Sequence, residues 1–296
     1  MNKLEFRGNF MDRKNALALY LIGTLGQIWI ICTITFILRN YGICVDFTTP
    51  IGVIAIGIGG TSSALWGIII AVKYKKFSLK YILKDFVCLR QKYSSYLFVL
   101  IFLGLEFCCV LFGGNFQISA WYIPVLLFVK AILFGGIEEI GWRYTFQPIL
   151  EERFSYILST IITFLAWGVW HFSYFYIEGT LSQVQIADFA LGLLVNCFIL
   201  SALYAKTNSL WLCVMTHSLI NVFSQITTGG NQYVLFICRI IIIIIAVACA
   251  NQKRTHFFPF FGRFSTPLTD CLSLLTVLFM LIIDSIISQS LYHISL

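Results

Sequence analysis

Six side chains capable of acid–base or hydrogen-bond chemistry lie within apolar sequence, where such groups are costly. Glu138, Glu139 and Arg143 fall within Gly135-Gly136-Ile137-Glu138-Glu139-Ile140-Gly141-Trp142-Arg143, and His171, His217 and Asn221 fall in later apolar runs. A charge at the bilayer centre costs ~2.5–3.5 kcal/mol on insertion scales, so residues of this kind mark function by default. On a helix Glu139 and Arg143 are four apart and share a face, which suits an ion pair, whereas Glu138 is rotated by about 100° and lacks that partner. One carboxylate is held and the other is left to act. Neighbouring carboxylates in a low-dielectric site resist ionising together, and the arginine favours charge on one of them. Groups of these types can move protons and donate hydrogen bonds to a developing charge.

The elements that carry them are apolar spans. The chain has 296 residues, 59% hydrophobic and 11% charged, with 28 phenylalanines, and a mean hydropathy of +0.88. Globular domains carry about 25% charged residues, so this is a multi-pass integral membrane protein. About 20 apolar residues cross a bilayer, and apolar stretches fall at 16–38, 51–73, 94–114, 121–147, 156–177, 185–205, 208–226, 233–250 and 268–290. The expected fold is all-α, a transmembrane helix bundle of eight to nine spans forming one integral domain over 1–296. The first apolar run is too long for a signal peptide and lacks a small-residue cleavage site, so it is read as a retained span.

Charge sets the topology. Lys3, Arg7, Arg13 and Lys14 precede the first span; Lys73, Lys75, Lys76, Lys80, Lys84, Arg90 and Lys92 follow the second; Arg153, Lys206, Lys253, Arg254 and Arg263 follow later even-numbered spans. The positive-inside rule places the N-terminus in the cytoplasm. If the fourth helix continues to about Leu150, Glu138 lies roughly 18 Å from the cytoplasmic end, His171 roughly 21 Å and His217 roughly 12 Å, counted at ~1.5 Å per residue. The groups are therefore expected to converge in one cytoplasm-facing intramembrane cavity. Spacing agrees, since Trp167 with His171, and His217 with Asn221, are each four apart on one face.

Other features read as structural. Glu106 and Lys130 suit an interhelical ion pair, and Arg239 suits snorkelling toward the interface. Asp188 and Asp284 fall near span ends, and His256 and His293 outside the apolar spans. Ten cysteines show no CxxC pair and no spacing for a metal cluster or disulfide framework. Segment 75–92 alternates lysines with Leu79, Ile82, Leu83, Phe86, Val87 and Leu89, either a basic loop or a helix along the inner membrane surface, attractive to anionic lipid in both cases. No module accompanies this charge that would read nucleic acid.

The ordered set Glu138-Glu139-Ile140-Gly141-Trp142-Arg143, Trp167-Gly168-Val169-Trp170-His171 and His217-Ser218-Leu219-Ile220-Asn221 resembles the CPBP family of intramembrane proteases, which includes CAAX prenyl endopeptidases and proteins of bacteriocin self-immunity (Abi). The resemblance covers about 120–225, with Asn208-Ser209-Leu210-Trp211 leading into the last cluster. It departs at Trp167, where the family usually has phenylalanine, and no motif matches in 1–110 or 230–296. The resemblance implies an intramembrane endopeptidase acting on a short or lipid-modified peptide, with Glu138 as base, His171 positioning water, His217 and Asn221 stabilising the oxyanion, and Glu139 paired with Arg143 to orient Glu138. It leaves open whether catalysis is of glutamate type or metallo type. Glu138, His171 and His217 are the candidates to hold zinc, but no HExxH helix occurs, and the preferred reading requires no cofactor. The implied partners are the bilayer and a peptide, with a prenylated peptide as one form of it, and the expected location is a prokaryotic plasma membrane. The alternative is a non-enzymatic membrane scaffold or bacteriocin immunity protein; a transporter ranks third, because no inverted repeat is evident.

Overall fold

A computed structural model describes residues 10–257 of the chain, with side chains over 12–250. The expected ninth span at 268–290, with Asp284, and Arg263 and His293 lie outside the described residues, as do the side chains of Lys253, Arg254 and His256. Among the described residues five helices are long and apolar enough to cross a membrane, Asp12–Asn40, Pro50–Lys73, Tyr156–Glu178, Ile186–Thr207 and Gln232–Ala250, and two shorter apolar helices accompany them, Tyr93–Glu106 and Leu210–Ile226. The protein is an integral membrane helix bundle.

Helix α1 runs Phe10–Asn40, followed by α2 (Pro50–Gly60) and α3 (Ser62–Lys73). Thr49 caps α2 by accepting Gly52 N–H at 3.2 Å, with Pro50 placed where its missing N–H costs nothing. The α2–α3 span breaks at Thr61, whose hydroxyl donates to the Gly57 carbonyl at 2.8 Å and so competes with the helical ladder. A short α4 (Leu79–Phe86) precedes α5 (Tyr93–Glu106). Strand β1 (Gly114–Phe116) then pairs antiparallel with β2 (Thr227–Gly229), with Asn115 opposite Thr228, the one sheet among the described residues.

The expected continuous helix at 121–147 is broken. Helix α6 (Ile123–Phe134) ends at Gly135; a 3-10 turn over Gly136–Glu138, the single turn α7 (Glu139–Gly141), a π-turn over Trp142–Phe146 and α8 (Gln147–Glu151) follow. Such wide turns recur at functional sites. Close packing at the break requires glycine at 135, where a Cβ would stand 2.5 Å from Asn221 Nδ2 and 3.3 Å from His217 Nε2. A second close approach lies where α3 crosses α7, since a Cβ on Gly67 would stand 2.7 Å from the Gly141 Cα.

Three capped helices complete the frame. Helix α9 (Tyr156–Glu178) starts on Ser155, which accepts Leu158 N–H at 3.2 Å, and stops at Gly179 in the left-handed conformation, φ 84°. Helix α10 (Ile186–Thr207) ends on left-handed Asn208, and α11 (Leu210–Ile226) starts on Ser209, which accepts Leu212 N–H at 3.3 Å. Helix α12 spans Gln232–Phe257. The core centres on the second half of α10, where Leu193–Val195 and Cys197–Leu203 are buried against α9, α11 and α12.

Two expectations about buried charge are corrected. Glu106 is not paired with Lys130, which is exposed; it accepts from Arg239 Nη2 at 3.1 Å and Nε at 3.3 Å. Arg239 therefore turns inward to a partner rather than snorkelling outward. Bringing α5 beside α12 supplies this match, and no local spacing announces it.

Candidate active site

The broken segment between α6 and α8 exists to aim its charged groups inward. Glu138, Glu139 and Arg143 are buried, and the three groups meet α9 and α11 rather than each other alone. Glu138 accepts the indole N–H of Trp167 at 2.7 Å. Glu139 Oε1 stands 2.8 Å from His217 Nδ1, and Glu139 Oε2 stands 3.7 Å from Arg143 Nε. The i,i+4 pairing expected for Glu139 and Arg143 is present but long, and both side chains are fully buried.

Trp167 is the hub. Its ring lies 4.5 Å from the Arg143 guanidinium carbon, and its centroid is 5.0 Å from the His171 ring and 5.3 Å from the His217 ring, both edge-on. A desolvated cation over an indole face is worth ~2 kcal/mol or more, which offsets part of the cost of burying Arg143. The departure to Trp167 thereby acquires a reason, because a phenylalanine ring cannot donate to Glu138. A third contact to Arg143 comes from the Cys197 thiol, 3.3 Å from Nη2.

The two histidines are oriented by their Nδ1 atoms. His171 Nδ1 lies 3.0 Å from the Trp167 carbonyl, which can only accept, so Nδ1 carries the proton and Nε2 is left as a lone-pair acceptor. His217 Nδ1 likewise faces a carboxylate, and its Nε2 projects toward Gly135 beside Asn221 Nδ2. His217 is buried, whereas His171 and Asn221 are half-buried and lie at the margin of the cluster. All six predicted residues belong to one neighbourhood built by the broken segment, α9 and α11.

Sequence reasoning missed the supports. Tyr20 of α1, fully buried, stacks on Phe146 with centroids 5.0 Å apart and meets Trp142 edge-on at 5.5 Å. Trp170 donates to the Ser62 hydroxyl at 2.8 Å and stands 5.0 Å from the His171 ring, tying α9 to the α2–α3 span. A Tyr and a Ser in apolar helices give no sequence signal of their own. The expected cavity does not coincide with two hollows at the Gly179 end of α9, of about 430 Å³ and 320 Å³, which are lined by Arg39, Gly179 and their neighbours. Among the described residues, no three His, Cys, Asp or Glu side chains stand together as a ready metal-binding group; Glu138 is engaged by Trp167 and His217 by Glu139.

Residues 119–223 match the family model described as type II CAAX prenyl endopeptidase Rce1-like. The chain is also similar to CAAX prenyl protease 2 of Methanococcus maripaludis, 25% identical over 157 residues that cover 49% of this chain and 56% of that protein. The chain thus spans little more than half the length of that curated relative.

Proposed function

We propose that the 119–223 segment is the core of a CPBP-type protease, and that the protein is a membrane-embedded endopeptidase that hydrolyses a peptide bond in a short or lipid-modified peptide with water activated by Glu138. The observation that carries this reading is the buried Glu138 carboxylate, held by Trp167 Nε1 at 2.7 Å beside two histidines whose Nδ1 atoms are already engaged. That arrangement leaves both Nε2 atoms for substrate or water.

In the proposed reaction Glu138 takes a proton from water while the His171 Nε2 lone pair accepts the other water hydrogen. The oxygen attacks the peptide carbonyl carbon, and negative charge collects on the carbonyl oxygen. Asn221 Nδ2 donates to it, and so does His217 Nε2 when the ring is an imidazolium, with Glu139 as the counter-charge. Glu138 then returns its proton to the departing amine as the C–N bond breaks. Arg143, 3.7 Å from Glu139 Oε2, helps to hold that carboxylate in place. Catalysis without metal is part of this proposal, with zinc on Glu138, His171 and His217 as the rival; chelator response separates them.

The proposed topology places the N-terminus in the cytoplasm and counts eight to nine spans: the five long helices, the shorter α5 and α11, the broken 123–151 segment, and 268–290 if it crosses. Arg13, Lys14, Lys73, Arg153 and Lys206 then share the cytoplasmic side, and the site would open on that face of a prokaryotic plasma membrane. The substrate carried over from the named relatives is a prenylated peptide; a bacteriocin-like peptide is the alternative within the family.

The test is mass spectrometry of a farnesylated CAAX peptide and of bacteriocin precursors incubated with purified protein, alongside Glu138→Gln and with or without chelator. A product lost in the folded variant supports the peptidase. No product from any peptide, together with a harmless His217→Ala in cells, would transfer the reading to a non-enzymatic scaffold or immunity protein.

A further inference from the structure

Positive charge outside the site is concentrated in residues 73–92, which none of the chemistry above uses. Ser78 caps α4 by accepting Tyr81 N–H at 3.2 Å, and Ile82 is fully buried beneath it. The outer surface mixes exposed Leu79, Leu83, Val87 and Leu89 with exposed Lys76, Lys80, Lys84, Arg90 and Lys92. The single acid of this strap, Asp85, is turned inward, where its Oδ2 accepts from the Tyr144 hydroxyl at 3.0 Å. No carboxylate of the strap is left to neutralise that surface. Cations interleaved with aliphatic side chains fit one occupant, the anionic leaflet, with phosphates at the lysines and acyl chains at the leucines.

The inner surface of the strap is fastened to the site. Lys75, although an ammonium, is buried and donates from Nζ to the Tyr144 carbonyl at 2.8 Å, and the Phe77 ring lies 5.7 Å from the Tyr144 ring. Tyr144 follows Arg143 directly in the π-turn, and Thr145 of the same turn donates to the Gly67 carbonyl at 3.2 Å. Strap and π-turn therefore share Tyr144 on two hydrogen bonds. We propose that residues 73–92 form a seat for anionic phospholipid, and that occupation of the seat holds the Trp142–Phe146 turn, and through it Arg143 and Glu139, in the site geometry. This rests on the membrane reading and on the site residues, not on hydrolysis.

The experiment places the full chain in nanodiscs of phosphatidylcholine, with and without phosphatidylglycerol, and reads amide hydrogen exchange over 79–92 and 142–151. Phosphatidylglycerol is expected to slow exchange in both segments. Each lysine near an anionic surface contributes about fivefold in affinity, so the triple variant Lys76→Gln, Lys80→Gln, Lys84→Gln loses the slowing in both. Lys75→Met with Tyr144→Phe, which removes both hydrogen bonds, keeps it at 79–92 and loses it at 142–151, and the milder Tyr144→Phe alone weakens it only at 142–151. Equal exchange in the two membranes overturns the lipid seat. Slowing at 142–151 that survives the double variant overturns the coupling. Neither readout needs a cleaved peptide, so failure here and failure of the peptidase reading are distinguishable.

Discussion

Among the described residues two arginine–glutamate pairs lie inside the bundle, and they are built in opposite ways. Arg239 gives two hydrogen bonds to one oxygen of Glu106, at 3.1 and 3.3 Å, with side-chain exposures of 17% and 8%. Arg143 stands 3.7 Å from Glu139 where both side chains are wholly buried. The deeper pair, where desolvation costs most, has the poorer direct geometry. Its members are instead shared with third parties, Arg143 with the Trp167 face and the Cys197 thiol, and Glu139 with His217. A pair that only fastened two helices would have no reason to spread itself in this way. The outer pair joins α5 to α12 and touches nothing reactive; the inner pair sets the orientation of an imidazole.

That contrast breaks most readily at the carboxylate beside the inner pair. Glu138→Gln is expected to lower kcat by about 10²- to 10⁴-fold, the usual contribution of a positioned base, with the fold intact, whereas Glu106→Gln leaves kcat unchanged; steady-state cleavage of whichever peptide is cut compares the two. Removing one member of the inner pair strands the other as a buried charge, so Glu139→Gln should destabilise the protein by ~3–5 kcal/mol. The double variant Glu139→Gln, Arg143→Met should recover much of that loss without recovering activity, and thermal unfolding in detergent would show whether it does.

The same scan on Glu106→Gln is expected to show a smaller loss, ~1–2 kcal/mol, because Arg239 retains some access to polar surroundings. An equal loss for Glu106→Gln and Glu139→Gln would erase the distinction drawn here. Trp167→Phe keeps a ring over Arg143 and deletes the donor to Glu138; it should reduce kcat several-fold with little change in KM, and a change confined to KM would place Trp167 in substrate binding instead. A pH dependence concerns Lys75, which lies beyond the α3 span and whose burial pushes the pKa of its ammonium down to about 8. The unfolded chain, with an ordinary lysine at ~10.4, binds this proton more tightly, so folding is penalised at lower pH and stability rises from about pH 8 upward. Lys75→Met should flatten that rise, and an unaltered slope would remove Lys75 from it.

Much of the site was legible before any coordinates. The i,i+4 spacings of Glu139 with Arg143 and of His217 with Asn221 announced shared faces, and the presence of charge in apolar sequence announced that those faces look inward. What was not legible came from helices far apart in the chain. Glu106 and Arg239 are separated by 133 residues, so Lys130, nearer in sequence, was the natural and mistaken partner. The broken path from Gly135 to Glu151 was hidden because its composition is as apolar as that of a straight span; the close approach of Asn221 and His217 that excludes a side chain at Gly135 appears only in the fold.

From sequence alone follow the membrane class, the inventory of reactive groups and their order along the chain, because composition and helical period are local properties that each segment carries by itself. The tertiary structure alone decided that Glu139 serves two partners, that Trp167 rather than an arginine engages Glu138, and that α1 and the α2–α3 span buttress the site through Tyr20 and Ser62. The reason is physical. A buried polar atom must find its hydrogen bond wherever packing brings a complementary atom within about 3 Å, and that choice is made by how whole helices cross, which no local spacing encodes.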